Sequence, residues 1–146
     1  MTIIVPEKEL IVPKIDDTER EGIKLPTDPE GIKKYLDSLP DPTGYRLLIR
    51  PYSGKNKTDG GVFLSEKSHD TIQMTTVVGL VIKMGDLCYK DKKKFPSGDW
   101  CKVGVFVMYG RYAGCRFKTR YGEHRILNDD EIIGIVRKPS DILHLY

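Results

Sequence analysis

Apolar positions divide the chain into one helical stretch and a series of short β-like runs. Ile32, Tyr35, Leu36 and Leu39 recur at helical spacing. Asp28 stands where a capping side chain is useful, Pro29 suits the first helical position, and Pro40 stops the run. This predicts one short helix. From Tyr45 onward the texture is β. Tyr45–Arg50 reads as a strand ending at Pro51, and Thr75–Ile82 is rich in β-branched residues. Cys101–Tyr109 is a third candidate, Arg116–Lys118 and Glu123–Leu127 are short ones, and Glu131–Val136 is the last. A polar insert, Gly85–Gly98, separates the second candidate from the third. Short strands joined by glycine-containing turns predict an all-β fold, a small barrel or sandwich.

One segment breaks this pattern. Ser53–Gly61 has no apolar side chain. It buries too little surface to offset the entropy of ordering it, so it is expected to be mobile. Val62, Phe63 and Leu64 follow as an apolar island, and Ser65–Asp70 is polar again. Such an island is either the start of a buried strand or a docking element. Gly60 and Gly61 shift the balance towards the second reading, because two glycines weaken a strand and leave the backbone free to reshape on binding, but composition and periodicity alone leave the island nearer a buried strand.

Composition narrows the class. The 146 residues suit one domain with a small appendage. Residues 1–43 carry Pro6, Pro13, Pro26, Pro29, Pro40 and Pro42, a density that opposes a regular sheet, and read as an N-terminal arm. Residues 44–137 read as the barrel domain and 138–146 as a tail. The net charge of +3 is too small a bias for a nucleic-acid partner, and the run Lys90–Lys94, interrupted by Asp91, reads as a solvated loop tip. No apolar run approaches the roughly 18 residues needed to span a membrane. Met1–Pro6 does not resemble a signal peptide, so a soluble cytoplasmic protein is expected.

Candidate chemistry is sparse. His69, His124 and His144 are scattered, with no metal-ligand spacing, nucleophile elbow or phosphate-cradling loop in the chain. Neither catalytic residue, metal nor cofactor is expected, and Asp129-Asp130-Glu131 reads as a turn leading into the last strand. Cys88, Cys101 and Cys115 have no zinc or redox spacing and are expected as free thiols. Pairing of Cys88 with Cys101 across the polar insert stays open as the alternative.

Several segments, in order, are similar to the GroES/Hsp10 co-chaperonin family. Gly60-Gly61-Val62-Phe63-Leu64-Ser65-Glu66-Lys67-Ser68 resembles the family's mobile loop, and Thr76–Val81 the strand after it. Lys102-Val103-Gly104 resembles a Lys-Val-Gly-Asp motif, and Tyr112-Ala113-Gly114 with Lys118 a Tyr-Ala-Gly-x-x-x-Lys motif. Asn128–Val136 resembles the closing strand. Val105 departs from the usual Asp and Ser65 from a frequent Pro. The two terminal extensions look more like a phage-encoded relative than a bacterial housekeeping copy.

The resemblance implies a small antiparallel β-barrel with a mobile loop and a roof hairpin, preceded by an extension with one helix. It implies a homo-heptameric ring that caps a GroEL-like chaperonin and assists protein folding, with no nucleotide site of its own. Gly60, Gly61, Val62, Phe63 and Leu64 would dock to the chaperonin. The closing strand of one copy would pair with the first strand of the next, which makes Leu47, Ile49, Ile132, Ile133 and Ile135 the expected ring contacts. The proline-rich arm keeps a second class open: a virion or capsid-assembly component of a phage built on the same barrel.

Overall fold

The computed structural model describes residues 23, 25–54, 72 and 76–142. Helix α1 spans Pro29–Ser38 and forms as its sequence dictates. The Asp28 carboxylate accepts a hydrogen bond from the Gly31 amide at 2.8 Å, which satisfies one of the orphan donors of the first turn. Ile32 and Tyr35 are buried, so the apolar stripe faces the protein.

Six strands follow: β1 (Arg46–Pro51), β2 (Val78–Met84), β3 (Phe106–Tyr109), β4 (Cys115–Thr119), β5 (Gly122–Asn128) and β6 (Ile132–Val136). They form one antiparallel sheet in the order β4-β5-β1-β2-β3-β6. Alternation along the strands splits the apolar residues between two clusters. On β1, β2 and β3, Leu48, Leu80, Ile82 and Phe106 join one and Leu47, Ile49, Val81 and Val107 the other; Leu127 joins the second, and the two ends of β6 reach different clusters, Val136 the first and Ile132 the second. The sheet is curled. Arg125 on β5 and Tyr109 on β3 are three strand spacings apart, about 14 Å in a flat sheet. The Arg125 guanidinium nevertheless lies 4.9 Å from the centre of the Tyr109 ring. Gly79 permits the close approach of β1 and β2, since a β-carbon there would meet Ile49 Cγ2 at 2.4 Å.

Three expectations change on contact with the structure. Of the run Cys101–Tyr109 only Phe106–Tyr109 is a strand. Gly104 has φ +90°, a left-handed conformation open to glycine, and the Val105 amide bonds back to Lys102 O at 3.2 Å, so the chain turns before the strand begins. The insert is a chain of turns, and no β-hairpin forms there. The Asp91 carboxylate caps the amide of Lys93 at 3.0 Å, Phe95 N bonds Asp91 O at 2.8 Å, and Cys88, Tyr89, Phe95 and Cys101 fold back into the second cluster. The described part of the arm, finally, packs against the barrel. Ile23, Tyr35 and Leu39 belong to the same buried cluster as Leu48, Leu80 and Phe106.

Candidate functional site

The residues expected to dock, Gly60, Gly61, Val62, Phe63 and Leu64, lie outside the described residues. The frame that carries them is described. The chain leaves the sheet after β1 and returns at β2, the strand beside it. The Tyr52 amide bonds Val78 O at 2.9 Å, and Val78 N bonds Thr76 Oγ1 at 3.2 Å. Tyr109 N bonds Val77 O at 2.9 Å, which ties the returning chain to β3 as well. Ser53 and Thr76 are both fully buried. Both ends of the connection are therefore held by main-chain hydrogen bonds within the barrel.

The expected ring contacts separate into two groups. Leu47 and Ile49 are fully buried, and β1 is hydrogen-bonded along one edge to β2 and along the other to β5. β1 therefore has no open edge to offer a neighbouring copy, and its leucine and isoleucine are core residues. β6 differs. It pairs with β3 on one side, and no other strand among the described residues pairs with it. Ile132 is buried, but Ile133 is 70% exposed and Ile135 50% exposed.

The acidic triplet forms the turn expected of it, a 3-10 segment at Asp129–Glu131, and the Glu131 carboxylate accepts from Asn128 N at 2.8 Å. It also holds the insert, which the sequence did not signal. Asp129 is buried. Its carboxylate accepts from Tyr89 N at 3.0 Å, and its carbonyl accepts from the Tyr89 hydroxyl at 2.8 Å. Tyr89 sits at φ +60°, an uncommon conformation for a residue with a side chain, and these two bonds fix it there. Tyr89, Phe95 and Trp100 pack ring against ring at 4.9–5.8 Å, and Lys94 pairs with Asp130 at 2.5 Å. The insert is thereby fastened to the turn that feeds β6.

Cys88 and Cys101 are free and buried, and Cys115 is free and exposed. Burial pushes the Cys88 thiol up to about 12 and raises Cys101 too, so both are poor nucleophiles. Of the histidines only His124 is described. It is buried beside Tyr35 and is not near a metal-ligand set, and among the described residues no group of His, Cys, Asp or Glu gathers to hold a metal. No helix among them is long and apolar enough to cross a membrane.

These features define a small antiparallel β-barrel that presents an edge strand and a long, firmly seated connection between adjacent strands. Comparison with known proteins gives the family. The profile described as "Chaperonin 10 Kd subunit" matches residues 40–136, well over half of the chain, and the chain belongs to this family. It is 30% identical over 93 residues to the co-chaperonin GroES of Myxococcus xanthus, covering 64% of this chain and 92% of that protein. The co-chaperonin GroES of Treponema denticola is 32% identical over 95 residues, 65% of this chain and 94% of the relative. The chloroplastic 20 kDa chaperonin of Spinacia oleracea is 34% identical over 97 residues, 65% of this chain and 35% of the relative. The family is not an enzyme family.

Proposed function

We propose that this chain is a co-chaperonin that assembles as a ring, caps a GroEL-like chaperonin in the cytoplasm and docks to it through Gly60–Leu64. The observation that carries the reading is the family match over residues 40–136, which brackets the docking segment and includes β6. The ring reading is supported by β6 itself. An edge strand that exposes Ile133 and Ile135 on one face is suited to a neighbouring copy, whose contact surface lies elsewhere than on β1. A heptamer is the expected ring size.

The energetics favour several anchors acting together. Burying Val62, Phe63 and Leu64 stabilises docking by roughly 1.5–3 kcal/mol each. Ordering the segment costs about 1–2 kcal/mol per residue, so one anchor alone binds weakly. Anchors carried on one ring act through effective concentration, and the cap holds yet releases when the chaperonin changes shape.

The test is native mass and pull-down with a GroEL-type chaperonin and ATP. The unaltered chain is expected to form a ring that caps the chaperonin. Phe63→Asp is expected to leave the ring and its thermal unfolding unchanged and to abolish capture. Undiminished capture of that variant would remove the docking assignment.

A further inference from the structure

Three side chains on barrel strands are of kinds that normally seek water, and all three are buried: Arg50 on β1 at 1% exposure, Lys83 on β2 at 6% and His124 on β5 at 0%. Each is met by the segment that precedes the barrel. Arg50 Nε donates to Ile23 O at 3.1 Å, while its Nη1 donates to Glu123 O at 2.8 Å. Lys83 Nζ donates to Leu36 O at 2.8 Å and Leu39 O at 3.2 Å, and pairs with Asp41 at 2.8 Å. It thus occupies the C-terminal end of α1, where unpaired carbonyls and the helix dipole favour a cation. His124 Nε2 lies 2.7 Å from the Tyr35 hydroxyl. Between these polar locks Ile23, Tyr35 and Leu39 complete an apolar cluster with Leu48, Leu80 and Phe106.

The histidine lock fixes a protonation state. His124 Nδ1 lies 3.0 Å from Gly122 O, which can only accept, so Nδ1 carries the proton and Nε2 accepts from Tyr35. A second proton would put a donor on Nε2, so the Tyr35 hydroxyl would have to give up its bond to Nε2 and turn to accept instead. The neighbours do not welcome the charge. The Phe117 ring stacks on the imidazole at 5.7 Å, Tyr121 packs edge-on against Tyr35 at 5.0 Å, and the Arg50 cation is close enough to oppose it. Glu123 precedes His124 on β5, and its carbonyl is already held by Arg50.

We propose that Ile23 and residues 25–41 are a strap built into the folded unit, and that protonation of His124 releases it, so that in acid the strap leaves the barrel before the barrel unfolds. Burial, reinforced by Arg50, holds His124 down to about 3 while the strap is closed, from an ordinary value of 6.5. The closed state therefore takes up its proton later than the open one. Closure is at full strength above about pH 6.5 and weakens by about tenfold per pH unit below it, down to about pH 3.

Amide hydrogen exchange on the full chain, expressed as protection relative to the unstructured peptide, tests this. From about pH 6.5 to about pH 4.5 the amides of Ile32–Ser38 are expected to lose about fiftyfold in protection, while those of β1 and β2 hold theirs. His124→Gln, which keeps an acceptor for Tyr35 but does not titrate, is expected to flatten that dependence. Tyr35→Phe keeps the ring and loses the hydroxyl. It is expected to lower α1 protection near pH 7 with β2 unmoved, and it serves if the Gln variant does not fold. Joint exchange of α1 and β2 at every pH, an unchanged slope in His124→Gln, or unchanged α1 protection in Tyr35→Phe would each overturn the proposal.

Discussion

β1 sets Leu47, Leu48 and Ile49 between two arginines, while β6 sets Ile132, Ile133, Ile135 and Val136 around a glycine. As strings of residues the two strands are close in apolar character. In the sheet they have opposite fates. From Leu47 to Pro51 every residue of β1 is buried, because the strand has a covered surface on each face and a partner along each edge. In β6 burial alternates: Ile132 and Val136 face the core, whereas Ile133 and Ile135 face away from it. Apolar content therefore did not decide which strand is interior; place in the sheet order did. Two isoleucines on the open face of an edge strand are burial that the single chain leaves incomplete. Covering what they still expose would stabilise a contact by roughly 1–2 kcal/mol each.

The contrast is open to direct attack. The largest effect is expected from Ile49→Ala, which removes a fully buried side chain between β1 and β2 and should cost about 2–5 kcal/mol in urea unfolding. A loss well under 1 kcal/mol would mean that β1 is not the interior strand described here. Tyr89→Phe comes next. It deletes the hydroxyl bond to Asp129 O and should cost about 0.5–1.5 kcal/mol, with hydrogen exchange rising in β6 more than in β1. Equal change in both strands would sever the link between the insert and the edge. Ile133→Asp should be the mildest for the fold, within about 0.5 kcal/mol in unfolding, because the side chain is already in solvent. Its consequence should lie in assembly, as loss of the ring in native mass measurements. A ring that survives the aspartate would place the contact surface elsewhere.

Legibility from sequence followed the range of the interactions. α1 was readable because its signals are local: Asp28, Pro29 and the spacing of Ile32 and Tyr35. β2 announced itself through β-branched residues, and β5 was read only as a short candidate. β3 was read too long because Gly104 looks like any strand glycine until its φ is known. The interior position of β1 was not readable, since it depends on pairing with β5 more than seventy residues away. The strap escaped notice for a related reason. Arg50, Lys83 and His124 look like surface residues in a sequence, and only the fold shows that Ile23, Leu36 and Tyr35 supply partners for them. The segment Val62-Phe63-Leu64, the proposed anchor, was conspicuous as an island. Its meaning came from the ordered family resemblance on either side of it.

The seating of the β1–β2 connection has a mechanical side. The proposed docking segment lies between the ends of two adjacent antiparallel strands, locked together where Tyr52 meets Val78. A pull along the strand axes drags β1 and β2 in the same direction, so it does not unzip one from the other. The load passes sideways to the ladders with β5 and β3, which are stressed along their length and must yield several hydrogen bonds together. A cap tugged by a moving chaperonin would transmit that force through its barrel as shear, the loading direction in which a sheet is strongest.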